Sequence, residues 1–369
     1  MNKHPDIDGL PHPQTPPPRE ALNAIPAVPH GGMRAVLPPG VLDFSSNVNP
    51  YGPSPLVWEA MRAVALDQHP DPRAAPLRRL LAEREGLPPA MVLAGNGSVD
   101  LLYQLAVAYL RPDDRVLVVG PTFGEYAAAA AVMGALPVHW RARPEHGLEL
   151  DLDGLLRAVG VQRPRMLFLC NPNNPTGGYL PRAAVERLLR AAPETLLVLD
   201  EAFVGFLPDA WSSRPLLEAG NLAVLRSLTK DYALTGLRAG YLLGPPALIA
   251  AVEKVQPPWS VNALAQAAAR VALADEGHLR RSLAALAEAR AALVDGLERL
   301  GLAPLPSRLH FSLLEVGDGA AWQRALLERG ILVRDCASFG LPAHIRIASR
   351  RPEENARLLE AVREVRSKK

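Results

Sequence analysis

Lysine is nearly missing from this chain: five stand among forty basic residues in 369, and three of those five, Lys3, Lys368 and Lys369, lie at the extreme ends. Cysteine is scarcer still. Cys170 and Cys336 are the only two and show no metal-ligand spacing, so neither a disulfide framework nor a zinc site is expected, and a reducing cytoplasm is the default compartment. An excess of one charge sign is also absent. A net charge of +2 with no long run of like charges excludes electrostatic capture of nucleic acid or of an anionic membrane, and leaves acidic small molecules to be held by individual arginines. No apolar stretch approaches a membrane span, and the first residues lack the basic start and apolar run of a secretory signal, so the protein is expected to stay in the cytoplasm.

What is present is an ordinary globular composition, 49% apolar and 21% charged, in a chain long enough for about two domains and a large buried core. Eight prolines among the first 29 residues mark a tail that is expected to lack regular structure and to be mobile. From about residue 90 to 245, short apolar runs alternate with helical periodicity, which argues for a mainly parallel sheet covered by helices. The runs 116–119, 166–170, 196–199 and 223–226 read as strands, and 98–110, 125–133 and 181–191 as helices. Beyond Tyr241 the character changes to one long Ala, Leu and Arg-rich helical region over 264–300, strands at 310–315 and 331–333, and helices over 320–329 and 352–366. A division follows into a tail (1–29), an amino-terminal arm (30–55), a large domain (56–262) and a small carboxy-terminal domain (263–369).

A composition that prefers arginine nevertheless keeps a lysine inside, Lys230, in Arg226-Ser227-Leu228-Thr229-Lys230-Asp231-Tyr232-Ala233-Leu234-Thr235-Gly236-Leu237-Arg238. A guanidinium could carry the charge there, but it stays protonated; only an amine with a lowered pKa condenses with a carbonyl. The alternative is an exposed loop lysine, and the neighbouring motifs weigh against it. Gly95-Asn96-Gly97-Ser98-Val99 opens a helix with glycines and a serine, so that backbone amides and the positive helix end can receive a phosphate, although a Gly-rich turn by itself is more often only a turn. Ser227 and Thr229 add hydroxyl donors beside the lysine and Arg238 adds charge. Asn171-Pro172-Asn173-Asn174-Pro175-Thr176-Gly177 forms a rigid loop after one apolar strand, and Asp200 ends the next. In open parallel sheets, ligands gather at such carboxyl ends.

In this order the segments resemble the fold-type I pyridoxal phosphate enzymes of the aspartate aminotransferase superfamily, over residues 30 to about 360. The resemblance implies an α/β fold with a large domain on a mainly parallel seven-stranded sheet and a smaller α/β carboxy-terminal domain. It also implies pyridoxal 5'-phosphate as cofactor and a homodimer whose sites draw on both chains. Lys230 and Asp200 become the catalytic residues, Asp200 through the ring's pyridine nitrogen. Asn174 would meet the phenolic oxygen and Phe123 would stack on the ring. Gly97, Ser98, Val99, Phe203, Ser227, Thr229 and Arg238 complete the expected cofactor contacts.

Within the superfamily the chain resembles L-threonine-O-3-phosphate decarboxylase of cobalamin biosynthesis and histidinol-phosphate aminotransferase. The arm His30-Gly31-Gly32 with Asp43-Phe44-Ser45-Ser46-Asn47, and Phe203 where the aminotransferases usually place Tyr, point to the decarboxylase. Two positions depart from it: Met33 stands where Asn usually follows the glycine pair, and His69 where the relatives have a Tyr that serves the neighbouring subunit. His30, Gly31, Asn47, Asn174, Arg334 and Arg346 are the expected substrate contacts, a planar guanidinium fork suiting carboxylate and phosphate alike. The expected function is therefore decarboxylation of L-threonine O-3-phosphate to (R)-1-amino-2-propanol phosphate, with a histidinol-phosphate-type aminotransferase as the alternative. A non-catalytic DNA-binding regulator on the same fold is disfavoured, because the segment before His30 is too short and proline-rich for a helix-turn-helix.

Overall fold

The computed structural model describes residues 17–25, 27–29, 31 and 37–367. Twelve short strands organise it. Leu42–Asp43 (β1) comes first, followed by Val92–Gly95 (β2), Arg115–Gly120 (β3), Leu136–Arg141 (β4), Met166–Cys170 (β5), Leu196–Asp200 (β6), Leu222–Ser227 (β7) and Gly240–Leu243 (β8). Phe311–Glu315 (β9), Ile331–Leu332 (β10), Arg334–Asp335 (β11) and His344–Ala348 (β12) complete the set.

The central sheet has seven strands in the order β2-β8-β7-β6-β5-β3-β4. β4, β3, β5, β6 and β7 run parallel, while β8 is antiparallel to both β7 and β2. Because side chains alternate across a strand, each parallel strand feeds both faces. Leu117, Leu167 and Leu197 enter one core cluster, covered by the helices Ala75–Glu85, Leu152–Gln162, Arg182–Ala191 and Ala263–Ala274. Val116, Val118, Met166 and Phe168 enter the other, under Ser98–Tyr109, Glu125–Val132 and Pro246–Glu253. Burial on both faces explains why these strands read as continuous apolar runs in the sequence.

A second group of elements forms a three-stranded antiparallel sheet, β11-β12-β9, with the helices Glu276–Arg299, Gly319–Leu327 and Pro352–Ser367. Leu42 and Asp43 pair with Ile331 and Leu332, and Phe44 is fully buried in the same core as Leu297, Leu326 and Ile345. The amino-terminal arm is thus tied to the carboxy-terminal elements. No helix among the described residues is long and apolar enough to cross a membrane.

Three expectations are corrected. The long helical region is two helices, because Asp275 leaves the helical conformation (φ −87°, ψ 65°), accepts from the His278 amide as an N-cap and takes the Ser54 hydroxyl at 2.6 Å. The run 331–333 is not one strand: β10 pairs with the arm and β11 with β12. In the proline-rich start, Glu20–Ala24 forms a 3-10 turn, and the Arg19 guanidinium reaches the Val132 carbonyl at 3.0 Å.

An ion pair between half-buried Arg226 and fully buried Glu201 ties β7 to the residue that follows β6. Arg226 lies 2.7 Å from Glu201, whose side chain is fully buried and also accepts from Ser213 at 3.0 Å. The anion keeps the Arg226 guanidinium protonated despite its burial. Glu85, at 3.8 Å, is its other carboxylate. Removing one partner of a buried pair leaves an uncompensated charge. Glu201→Ala is therefore expected to lower unfolding free energy by about 3 kcal/mol, read from denaturant titration; a loss under about 1 kcal/mol would show that Glu85 takes over.

Candidate active site

The parallel strands end on one edge of the sheet, and the loops leaving that edge enclose a cavity of about 410 Å³. Lys230 stands three residues beyond β7, Asp200 is the last residue of β6, and Asn174 lies four beyond β5; all three line it. So do Gly31, Asn47, Ser98, Val99, Phe123, Phe203, Thr229, Arg238, Arg334 and Arg346. Two expected residues stand just behind the wall. The Ser227 hydroxyl is 2.7 Å from that of Thr229, and Gly97 abuts Arg238. His30 and Met33 lie outside the described residues. His69 does not line the cavity; it is exposed and stacks on Trp259 with ring centroids 4.7 Å apart.

At one end stands a cradle for a dianion. The helix Ser98–Tyr109 points its amino terminus inward behind Gly97, whose φ of +87° lies in the region that favours glycine. A methyl group there would sit 2.7 Å from Arg238 Nη2, so the missing Cβ is what admits the guanidinium. Gly240, at the start of β8, is as constrained: its Cβ would meet the Ser98 amide at 2.7 Å. Ser98, Thr229 and Arg238 therefore converge without obstruction.

Charge dominates the middle of the cavity. Burial, followed by the cations Arg238 and Arg346, pulls the Lys230 amine down to about 8, with Asp200 opposing. Asp200 is itself buried, which pushes its carboxyl up; the Tyr126 hydroxyl donates to Oδ2 at 2.7 Å and the Ala202 amide to Oδ1 at 2.9 Å, and both favour the anion. Neither Lys230 nor Asp200 has an ion-pair partner within 4.0 Å among the described residues, so Asp200 is a buried acceptor facing a space that a cationic N–H would fill.

The opposite wall is cationic. Arg346 is 4% exposed, and burial pulls its guanidinium down to about 10. It donates to Asn174 Oδ1 and to the Ser45 carbonyl at 2.6 Å, its Nε has no partner, and among the described residues no carboxylate comes within ion-pair distance. Arg334 donates to the Pro29 carbonyl at 2.9 Å and to Ser338 at 2.8 Å. Asn47 Oδ1 is a buried acceptor without a partner. Buried polar groups of this kind are normally paired, which makes the wall a receptor for an anionic, hydrogen-bonding ligand. Behind it His310, its ring tilted 32° against Phe206 with centroids 4.1 Å apart, is pulled down to about 3 by burial and Arg346, and so stays neutral.

Sequence reasoning missed Tyr126, Ser45, Cys170 and Phe339 on the lining. Helical spacing could not flag Tyr126, because Phe123 precedes the helix Glu125–Val132 that carries it. Phe203 was over-read. It packs edge-on against Phe311 with centroids 5.3 Å apart and is 5% exposed, so an aromatic is explained there by the small apolar cluster it joins, whatever the reaction.

The family profile described as "Aminotransferase class I and II" matches residues 39–362. Histidinol-phosphate aminotransferase of Symbiobacterium thermophilum is 40% identical over 328 residues, covering 88% of this chain and 90% of that protein. Seven further relatives at 34–39% identity bear the same name. Among solved structures, histidinol-phosphate aminotransferase from Sinorhizobium meliloti in complex with pyridoxal-5'-phosphate superposes with a TM-score of 0.80 at 31% identity, over 88% of this chain and 91% of that one. L-threonine-O-3-phosphate decarboxylase from Porphyromonas gingivalis gives 0.77 at 29% identity, over 88% and 99%. These similarities overturn the expected threonine-phosphate decarboxylation and its place in cobalamin biosynthesis: the curated relatives are aminotransferases, and Phe203 does not argue otherwise. The cofactor is pyridoxal phosphate, and the cradle, the buried Asp200 and the low-pKa Lys230 fit its phosphate, ring nitrogen and aldehyde. The chain belongs to the class I and II aminotransferases, with the seven-stranded, mainly parallel α/β fold of the aspartate aminotransferase type.

Proposed function

We propose that this protein is an aminotransferase that moves the amino group of a phosphorylated amino alcohol of the histidinol phosphate kind to 2-oxoglutarate. The observation that carries the choice of reaction is the 40% identity to a histidinol-phosphate aminotransferase across 88% of the chain. Arg346, buried with no carboxylate counter-ion among the described residues and with an unpartnered Nε, supports an anionic substrate. When bound, pyridoxal phosphate supplies an aldehyde that condenses with amines and a protonated ring that draws electrons from the substrate's α carbon.

The chain's own residues then divide the work. Ser98, Thr229, Arg238 and the amides about Gly97 and Val99 hold the cofactor's phosphate, with Ser227 orienting Thr229. Asp200 holds the ring nitrogen protonated, Asn174 meets the phenolic oxygen, and Phe123 and Phe203 confine the ring. Lys230 Nζ anchors the cofactor and, once released, moves the proton off the substrate's α carbon. An amine near 8 suits that task, because about a tenth of it is unprotonated at pH 7, against well under a thousandth at the ordinary lysine value of 10.5, while the conjugate acid can still return the proton. Arg346, Arg334 and Asn47, with Gly31 and His30 of the arm, hold the substrate's phosphate and polar groups, and so fix which bond at the α carbon meets Lys230.

Glutamate formation from histidinol phosphate and 2-oxoglutarate by the purified holoenzyme is the expected result, with no carbon dioxide from L-threonine phosphate; the reverse pattern would sink the proposal. Arg346→Ala is expected to lower kcat/KM about 100-fold, since a lost partner to a buried charge costs a few kcal/mol. A drop of less than about threefold would move the anion elsewhere. Capture of pyridoxal phosphate by enzyme stripped of cofactor needs the neutral amine. Its rate should therefore rise with pH and level off just above about 8, rather than above the ordinary lysine value of 10.5. Stopped-flow absorbance checks this, and a rate still climbing beyond about pH 10 would contradict it.

A further inference from the structure

Tyr126 is 1% exposed and has one hydroxyl proton, which Asp200 Oδ2 accepts at 2.7 Å. Its ring lies parallel to Phe168 (centroids 5.1 Å, 8° between planes) and perpendicular to Phe123 (5.7 Å, 84°). Phe168 belongs to β5 and Asp200 to the neighbouring β6, while Phe123 and Asp200 both line the cavity. One side chain therefore touches the carboxylate and the aromatic wall that would grip the two sides of the same planar ligand. The other oxygen of Asp200 is occupied by the Ala202 amide at 2.9 Å, and the nearby Cys170 thiol is directed to the Pro172 carbonyl at 3.2 Å. No other side chain among the described residues donates to Asp200.

We propose that Tyr126 is a positioning residue of this enzyme: its hydroxyl keeps Asp200 ionised and aimed into the cavity, and its ring braces Phe123 on the wall of the same cavity, where both would hold the cofactor. The inference rests on assigning Asp200 to the cofactor's ring nitrogen and is independent of which amino substrate is used. Its physical basis is that an O–H donated to a buried carboxylate is a charge-assisted bond, roughly twice as strong as a neutral one. Without it, the buried Asp200 keeps only the Ala202 amide as a hydrogen-bond donor, and protonation would remove the acceptor that the ring nitrogen needs. The rigid stack on Phe168 means the hydroxyl cannot swing away, so the contact is built into the fold.

The test uses full-length holoenzyme of Tyr126→Phe, Asp200→Asn and the double variant, following cofactor release after dilution by fluorescence. Tyr126→Phe keeps the ring stack and is expected to hold the cofactor about 10-fold more weakly, with kcat falling more than KM changes. The acidic limb of its kcat/KM profile moves to higher pH, because Asp200, already pushed up by burial, loses a donor that favoured its anion. In the Asp200→Asn background the same change should add almost nothing, as expected for a residue that acts through its partner. Wild-type cofactor retention with an unmoved acidic limb in Tyr126→Phe overturns the proposal, as does an undiminished effect in the double variant. If Asp200→Asn alone leaves cofactor retention intact, the assignment of Asp200 fails and the proposal with it. Tyr126→His keeps a ring and an N–H donor and should recover part of the lost grip; no gain over Tyr126→Phe, with both variants folded by circular dichroism, would also count against it.

Discussion

Everything functional in this protein depends on placing ions that are not paired with one another in one pocket. Asp200 and Arg346 are buried, Lys230 is half-buried, and none has an ion-pair partner among the described residues. Left empty, such a pocket costs free energy. The cost is tolerable because the strands beneath are pinned on both faces by large apolar clusters and by the Glu201–Arg226 pair, so the charged ends cannot collapse onto one another. In the proposed function each group would offer its unmet interaction to a ligand: the amine to an aldehyde, the carboxylate to a ring nitrogen, the guanidinium to an anion.

Sheet topology supplies the convergence. Parallel strands present all their carboxyl ends on one side, so residues more than fifty positions apart in sequence meet in one cavity. The glycines complete it where backbone must approach closely. Gly97 leaves room for the Arg238 guanidinium, and Gly240 lets β8 pass against the amide of Ser98. The arm closes the opposite side, with β1 stitched to β10 and Gly31 and Asn47 on the lining, so the first and last thirds of the chain share one active site.

Much of this was legible beforehand. The inner parallel strands were readable because burial on both faces confines their polar residues to the ends, as at Arg115, Asp200, Arg226 and Ser227, and Lys230 was readable because an arginine-rich composition leaves only Lys230 and Lys254 away from the chain ends and only Lys230 stands among hydroxyl residues. The edge strands were not. β4 mixes His139 and Arg141 with apolar residues, and β2 is four residues long, so neither carries a periodic signal. The two-helix break at Asp275 was hidden because the Ala and Leu periodicity continues through it, and only the Ser54 and His278 contacts show that the residue caps a helix. Phe203 misled because a single aromatic was read as a choice of chemistry when its neighbours Phe206 and Phe311 make it a matter of packing.

The sequence by itself determined the class of chemistry: a lysine among hydroxyls, a carboxylate at a strand end and a Gly-Ser helix start are local statements, each needing only a few adjacent residues. It did not determine the substrate or the reaction, because those depend on distances between residues brought together from separate loops. Only the tertiary structure decided that Arg346 is buried without a counter-ion, that Phe203 belongs to an apolar cluster, and that Tyr126 joins Asp200 to Phe123. Burial and hydrogen bonding between distant segments are properties of the folded surface, and no window of the chain contains them.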